Sequence, residues 1–104
     1  MESTPNRVKA TMFFPLFDNE GNPFDEETWS WWMGKVVEVL GDFTEMGLTN
    51  GGWRGYADQC RWIMAVIQED RLHDVHGFLQ EAHERFKQEA MYLDFHPVHL
   101  ELVT

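Results

Sequence analysis

The sequence predicts an α+β fold whose elements run strand, helix, strand, strand, helix, strand. Three observations carry that expectation. Residues near both ends alternate with the period of two that belongs to strands, and two intervening stretches repeat with the helical period. Between them, CRWIMAVI, Cys60 to Ile67, is apolar on both faces, the pattern of a strand covered twice.

In the first strand Val8, Ala10, Met12, Phe14 and Leu16 alternate with Lys9, Thr11, Phe13, Pro15 and Phe17. The turn-forming run FDNEGNPFD follows, with Asp25 placed to cap a helix and Phe24 and Trp29 at the two positions of a hydrophobic staple. Trp29, Trp32, Met33, Val36, Val39 and Leu40 fall on one helical face, with Glu27, Trp31, Lys35 and Glu38 opposite; the helix ends near Gly41. Trp31 thus falls on the polar side, where a large ring marks a contact surface unless a neighbouring loop covers it.

Thr44 to Asn50 reads as the second strand, and GGWRGYADQCRW, Gly51 to Trp62, as its turn into the third. Leu72, Val75, Leu79, Ala82, Phe86 and Ala90 form the apolar stripe of a second helix, with Asp70 as its cap and Gly77 as its weak point. Met91, Leu93 and Phe95 then alternate, and Val98, Leu100 and Leu102 resume with the phase shifted at Pro97, which predicts a bulged edge strand. This order is that of the ferredoxin-like βαββαβ plait, a four-stranded antiparallel sheet with two helices on one face and strands one and three central. Residues 1–7 read as a tail and 8–104 as a single domain of that kind.

Charge narrows the partners. The 18 acidic residues outnumber 8 basic ones for a net charge of −10, which repels phosphate backbones, so no direct nucleic-acid binding is expected. Cys60 has no second cysteine to bridge, and MESTPNRVKATMFF has neither the basic start nor the apolar run of a signal peptide. A cytoplasmic protein is expected. No stretch reaches the roughly 18 apolar residues of a membrane span.

From the first strand onward the chain resembles a bacterial family of small βαββαβ proteins known as a domain of unknown function, with a Gly-x-Trp-Arg turn and an Arg-Phe-x-Gln-Glu helix end. The matching residues are Phe13 and Phe14, Glu27 and Trp29, Gly51, Trp53 and Arg54, Arg85, Phe86, Gln88 and Glu89, and Pro97 with Val98. The resemblance implies the plait and no catalytic residue.

Candidate chemistry is sparse. The glycine-rich turn lacks the spacing of a phosphate loop and precedes a strand. Trp53 and Arg54 are therefore either hairpin parts, with Arg54 paired to a carboxylate such as Glu89, or a ring and a donor fork facing a ligand. His73 with His76, and His96 with His99, have spacings that can share a metal, but no cysteine cluster or HExxH run supports either, and no metal or other cofactor is expected. Cys60 and the hydroxyl residues Ser3 and Ser30 lie in no recognisable nucleophile elbow.

The expected working surface is the sheet face that the helices leave uncovered. Phe13, Phe17, Ile63 and Ile67 are expected to line it, and a homodimer would cover them. A non-catalytic module for a small ligand or a protein partner fits this best. One alternative is a cofactor-independent enzyme of the dimeric α+β barrel type, with Trp53, Arg54, Trp62 and His96 around a cavity between sheet and helices. Another is an acidic decoy occupying a basic site on a partner.

Overall fold

The computed structural model describes residues 6–53 and 56–104, with side chains outside 51–58. Strands β1 (Arg7–Pro15), β2 (Thr44–Trp53), β3 (Tyr56–Gln68) and β4 (Tyr92–Val98) form one antiparallel sheet in the order β2-β3-β1-β4. Helix α1 (Glu26–Leu40) links β1 to β2, and α2 (Leu72–Arg85) links β3 to β4 after a single 3-10 turn. This is the ferredoxin-like plait, with β1 and β3 central.

Both helix boundaries of α1 follow from local chemistry. The Asp25 carboxylate accepts from the Thr28 amide at 2.8 Å, which satisfies a backbone donor at the first turn. At the other end Gly41, at φ 71°, takes a left-handed conformation that a side chain would resist, and its amide donates back to the Val37 carbonyl. No basic residue lies in the last turn of α1. Arg71 supplies one from across the fold, donating to the Val39 carbonyl at 2.8 Å.

Helix α2 departs from expectation at both ends. Its N-cap is Arg71 and not Asp70, because the chain first makes the 3-10 turn Glu69–Arg71. It stops at Arg85, short of Ala90, because Lys87 turns left-handed at φ 52° and its amide bonds the Glu84 carbonyl.

The core lies between the helices and one face of the sheet. Val8, Ala10, Met12 and Phe14 of β1 are buried there, with Trp32, Val36, Val39 and Leu40 of α1 and Val75, Phe78, Leu79 and Ala82 of α2. Phe86 is fully buried as a hub: its ring centroid lies 4.9 Å from Phe24, 5.3 Å from Trp29 and 5.8 Å from Phe14. The two staple residues meet on it. The Arg-Phe pair of the helix end is thus a packing device: Phe86 enters the core, and the Gln88 side chain donates to the Phe86 carbonyl at 2.9 Å.

Both sheet edges are modified. Edge strand β2 carries a bulge between Glu45 and Gly47, where Gly47 adopts φ 115°. The bulge expected at Pro97 is absent: β4 pairs with β1 without a break from Tyr92 to Val98, and Pro97 sits in that edge strand opposite Val8. Residues 99–104 form no strand, although Leu102 and Val103 are 87% and 89% exposed.

Candidate functional site on the open sheet face

Strand alternation sorts the expected surface residues onto two faces. Ile63 and Ile67 are core residues, 0% and 6% exposed, and not part of the open face. Ile63 stands opposite Met12 and Ile67 opposite Val8, so both share the helix-covered side with the buried half of β1. Phe13 is on the open face as expected. Phe17 lies beyond β1 in an isolated bridge to Pro23, 40% exposed.

The residues that alternate with Ile63 in β3 are Trp62, Met64 and Val66, all half-buried, and they face the open side. Cross-strand register lines Trp62, Phe13 and Tyr92 into one row. The Phe13 ring is 6.1 Å from Trp62 and 5.0 Å from Tyr92 by centroid, within the range of favourable ring contacts. The next row runs Met64, Thr11, Asp94, and the one after it Val66, Lys9, His96. Tyr92 donates its hydroxyl to Asp94 at 2.5 Å. That hydrogen bond, with some desolvation and the carboxylate charge, raises the Tyr92 pKa above its ordinary value. The indole Nε1 of Trp62 is buried with no hydrogen-bond partner among the described residues, as is that of Trp32 in the core.

The face therefore grades from an aromatic end, through a carboxylate, to a basic end. Tyr92 and Asp94 did not stand out in the sequence because only the register of β4 against β1 assembles this pattern. Of the four residues expected around a cavity, Trp62 and His96 do share a face, but it is the open one. They are not together: His96 lies four residues along β4 from Tyr92, roughly 13 Å at strand rise. The Trp53 side chain and Arg54, with its expected pairing to Glu89, lie outside the described residues; Glu89 itself sits exposed in the bend after α2.

Between the sheet and the helices, where a cavity was expected, the described side chains pack as one buried core. Two open grooves run along the outer side of the helix pair, of about 460 and 360 Å³. The first is lined by Trp31, Lys35, Glu81, Glu84 and Arg85. Trp31 is half-buried there on Phe78, its ring 6.0 Å away, and the Arg85 guanidinium lies 4.7 Å from the Trp31 ring. The second helix thus covers the ring that sequence placed on a polar side. Lys35 pairs with Glu81 at 3.3 Å and Glu38 at 3.9 Å, so its charge is matched by neighbouring carboxylates.

On the helix-covered face, Arg61 pairs with Glu45 and spreads its guanidinium over the rings of Trp32 and Trp29, 4.2 and 4.8 Å from their centroids. This contact ties β2, β3 and α1 together. Cys60 is half-buried at the start of the β3 segment that pairs with β1. His73 and His76 are exposed on α2, His83 contacts the Gln88 carbonyl, and His99 pairs with Glu101. Among the described residues no group of three or more His, Cys, Asp or Glu side chains could hold a metal ion. Among them, too, no helix is long and apolar enough to cross a membrane.

No protein-family model matches the sequence, and no curated protein matches it. Among solved structures the chain is similar to a phage SAM lyase in complex with S-methyl-5′-thioadenosine, with a TM-score of 0.58 at 14% identity. The likeness covers 100% of this chain and 98% of that one. At that identity it describes a shared fold, a small α+β domain matched from end to end.

Proposed function

We propose that this chain is a small-ligand module that works as an assembly of its own copies. The open sheet face forms the contact, and an adenosine thioether of the kind held by its structural neighbour is the ligand. The observation that carries this reading is the aromatic row Trp62, Phe13 and Tyr92 on the sheet face that no helix covers. Rings left in water cost about 25 cal/mol for each Å² of apolar surface, so such a face calls for a cover. The bulge in β2 and Pro97 in β4 both hinder edge pairing, which leaves the face as the route for self-association. A purine ring stacks on the same aromatic surface. A second copy laid against the face would enclose such a ligand.

The net charge of −10 favours a cationic ligand over a phosphate-bearing one. A structural neighbour of nearly the same length holds S-methyl-5′-thioadenosine within this architecture. That neighbour is a lyase, which favours a second reading in which the chain also cleaves S-adenosylmethionine; this rests on fold analogy. The decoy reading draws no comparable support, since several acids on the helices are matched in ion pairs with Lys35 and Arg71. A cytoplasmic setting belongs to the proposal, in keeping with a sequence that holds a single cysteine.

Sedimentation velocity combined with thermal shift tests it. The wild type is expected to sediment as an oligomer and to gain thermal stability with S-methyl-5′-thioadenosine or S-adenosylmethionine. Chromatography of the S-adenosylmethionine mixture then separates binding from cleavage. A monomer at high concentration that neither compound stabilises would overturn the proposal.

A further inference from the structure

We infer that the open face prefers the sulfonium form of such an adenosine ligand over the neutral thioether and that Asp94 makes the selection, an inference that rests on the adenosine-ligand reading above. Asp94 lies two residues from Tyr92 on the same side of β4 and stands opposite Thr11 of β1. Its Oδ2 accepts the Tyr92 hydroxyl, while Oδ1 has no hydrogen-bond partner among the described residues. No lysine, arginine or histidine among those residues lies within ion-pair distance of it. Lys9 and His96 stand opposite each other one row further along the strands, and Arg7 lies one row beyond them on the same face.

Glu45 is matched by Arg61 on the opposite face, and Glu38 and Glu81 are matched by Lys35 on the helices. Among the described residues Asp94 is the acid next to the aromatic row, and no ion pair neutralises its charge there. A carboxylate beside ring faces recognises a soft organic cation, because the rings present negative potential and the carboxylate adds a full charge. A sulfonium suits such a place. It has no N–H groups to satisfy, whereas an ammonium would need hydrogen-bond acceptors that rings supply poorly. The Tyr92 hydroxyl is a donor at neutral pH, so Asp94 is oriented from one side and open on the other.

Calorimetric titration with S-adenosylmethionine and with S-adenosylhomocysteine, whose sulfur is neutral, isolates the charge. The wild type is expected to bind the sulfonium about ten-fold more tightly, a difference of about 1.4 kcal/mol. Asp94→Asn should bring the ratio close to one without changing affinity for the neutral compound, and Asp94→Glu should restore it. Equal wild-type affinities, or a ratio that survives Asp94→Asn, would overturn the inference and leave the thioether reading standing. So would an equal loss of both affinities in Asp94→Asn, particularly if sedimentation shows the assembly falling apart, since Asp94 would then hold copies together. A wild type that binds neither compound would overturn the thioether reading and this inference with it.

Discussion

Replacing Phe86 with alanine tests whether the hub at the end of α2 holds the helical layer together. The ring is fully buried and reaches Phe24, Trp29 and Phe14, so its removal empties a space bounded by the β1-α1 loop, α1 and the central strand. A buried Phe→Ala change costs about 3 to 5 kcal/mol, the transfer term plus the cavity it leaves. Three ring contacts vanish with it, and their share is already contained in that figure. A 104-residue domain has roughly 5 to 15 kcal/mol in total, so the variant stays folded unless the wild type lies near the lower end of that range. Urea denaturation followed by tryptophan fluorescence measures the loss, because Trp29 sits directly on the ring. A loss below about 1 kcal/mol at unchanged m value would refute the reasoning.

Substitutions on the two faces of β3 and β1 should behave oppositely. Ile63→Asp buries an unpaired charge in the core and is expected to unfold the chain, read by circular dichroism, whereas Phe13→Asp keeps the fold and yields a monomer in sedimentation. Gly47→Val places a β-branched residue at φ 115° in the bulge and is expected to cost about 1 to 3 kcal/mol in urea denaturation, despite open space around the site. The acid limb of stability follows from two loop carboxylates. Hydrogen bonds from the Asn22 amide to Asp18, and from the Thr28 hydroxyl and amide to Asp25, lower both pKa values below the ordinary aspartate range. Their stabilisation is present above the unfolded-state pKa and is lost as pH falls through the lower folded values, so the urea midpoint should drop below about pH 4. Asp25→Asn, which still caps the helix, should flatten that limb.

The sequence disclosed most where one residue decides the local geometry. Asp25 and Gly41 bounded α1 because a capping carboxylate and a left-handed glycine are chemically distinctive. Strand order followed from the doubly apolar β3 and from Pro97 in an edge strand. The same double apolarity concealed which side of β3 faces the helices. A period of two names two sets of residues, Ile63 with Ile67 and Trp62 with Met64, and only the register against Met12 and Phe13 assigns them. Strand β3 begins at Tyr56 and not Cys60 because the polar YADQ segment pairs with β2 alone among the described strands, and ladder hydrogen bonds leave no hydrophobic signature. The end of α2 was hidden for a related reason, since the left-handed Lys87 leaves the apolar spacing through Ala90 intact. The aromatic row and Asp94 come from three strands far apart in sequence, so their juxtaposition is a property of the sheet.

The central claim is that the open sheet face is the working surface, and the most direct measurement is amide chemical-shift mapping of the labelled protein titrated with S-methyl-5′-thioadenosine. The account predicts saturable shifts centred on Phe13, Trp62, Tyr92 and Asp94, with the outer residues of α1 and α2 unmoved. Shifts confined to the groove lined by Trp31, Lys35 and Arg85, or none at millimolar ligand, would contradict it.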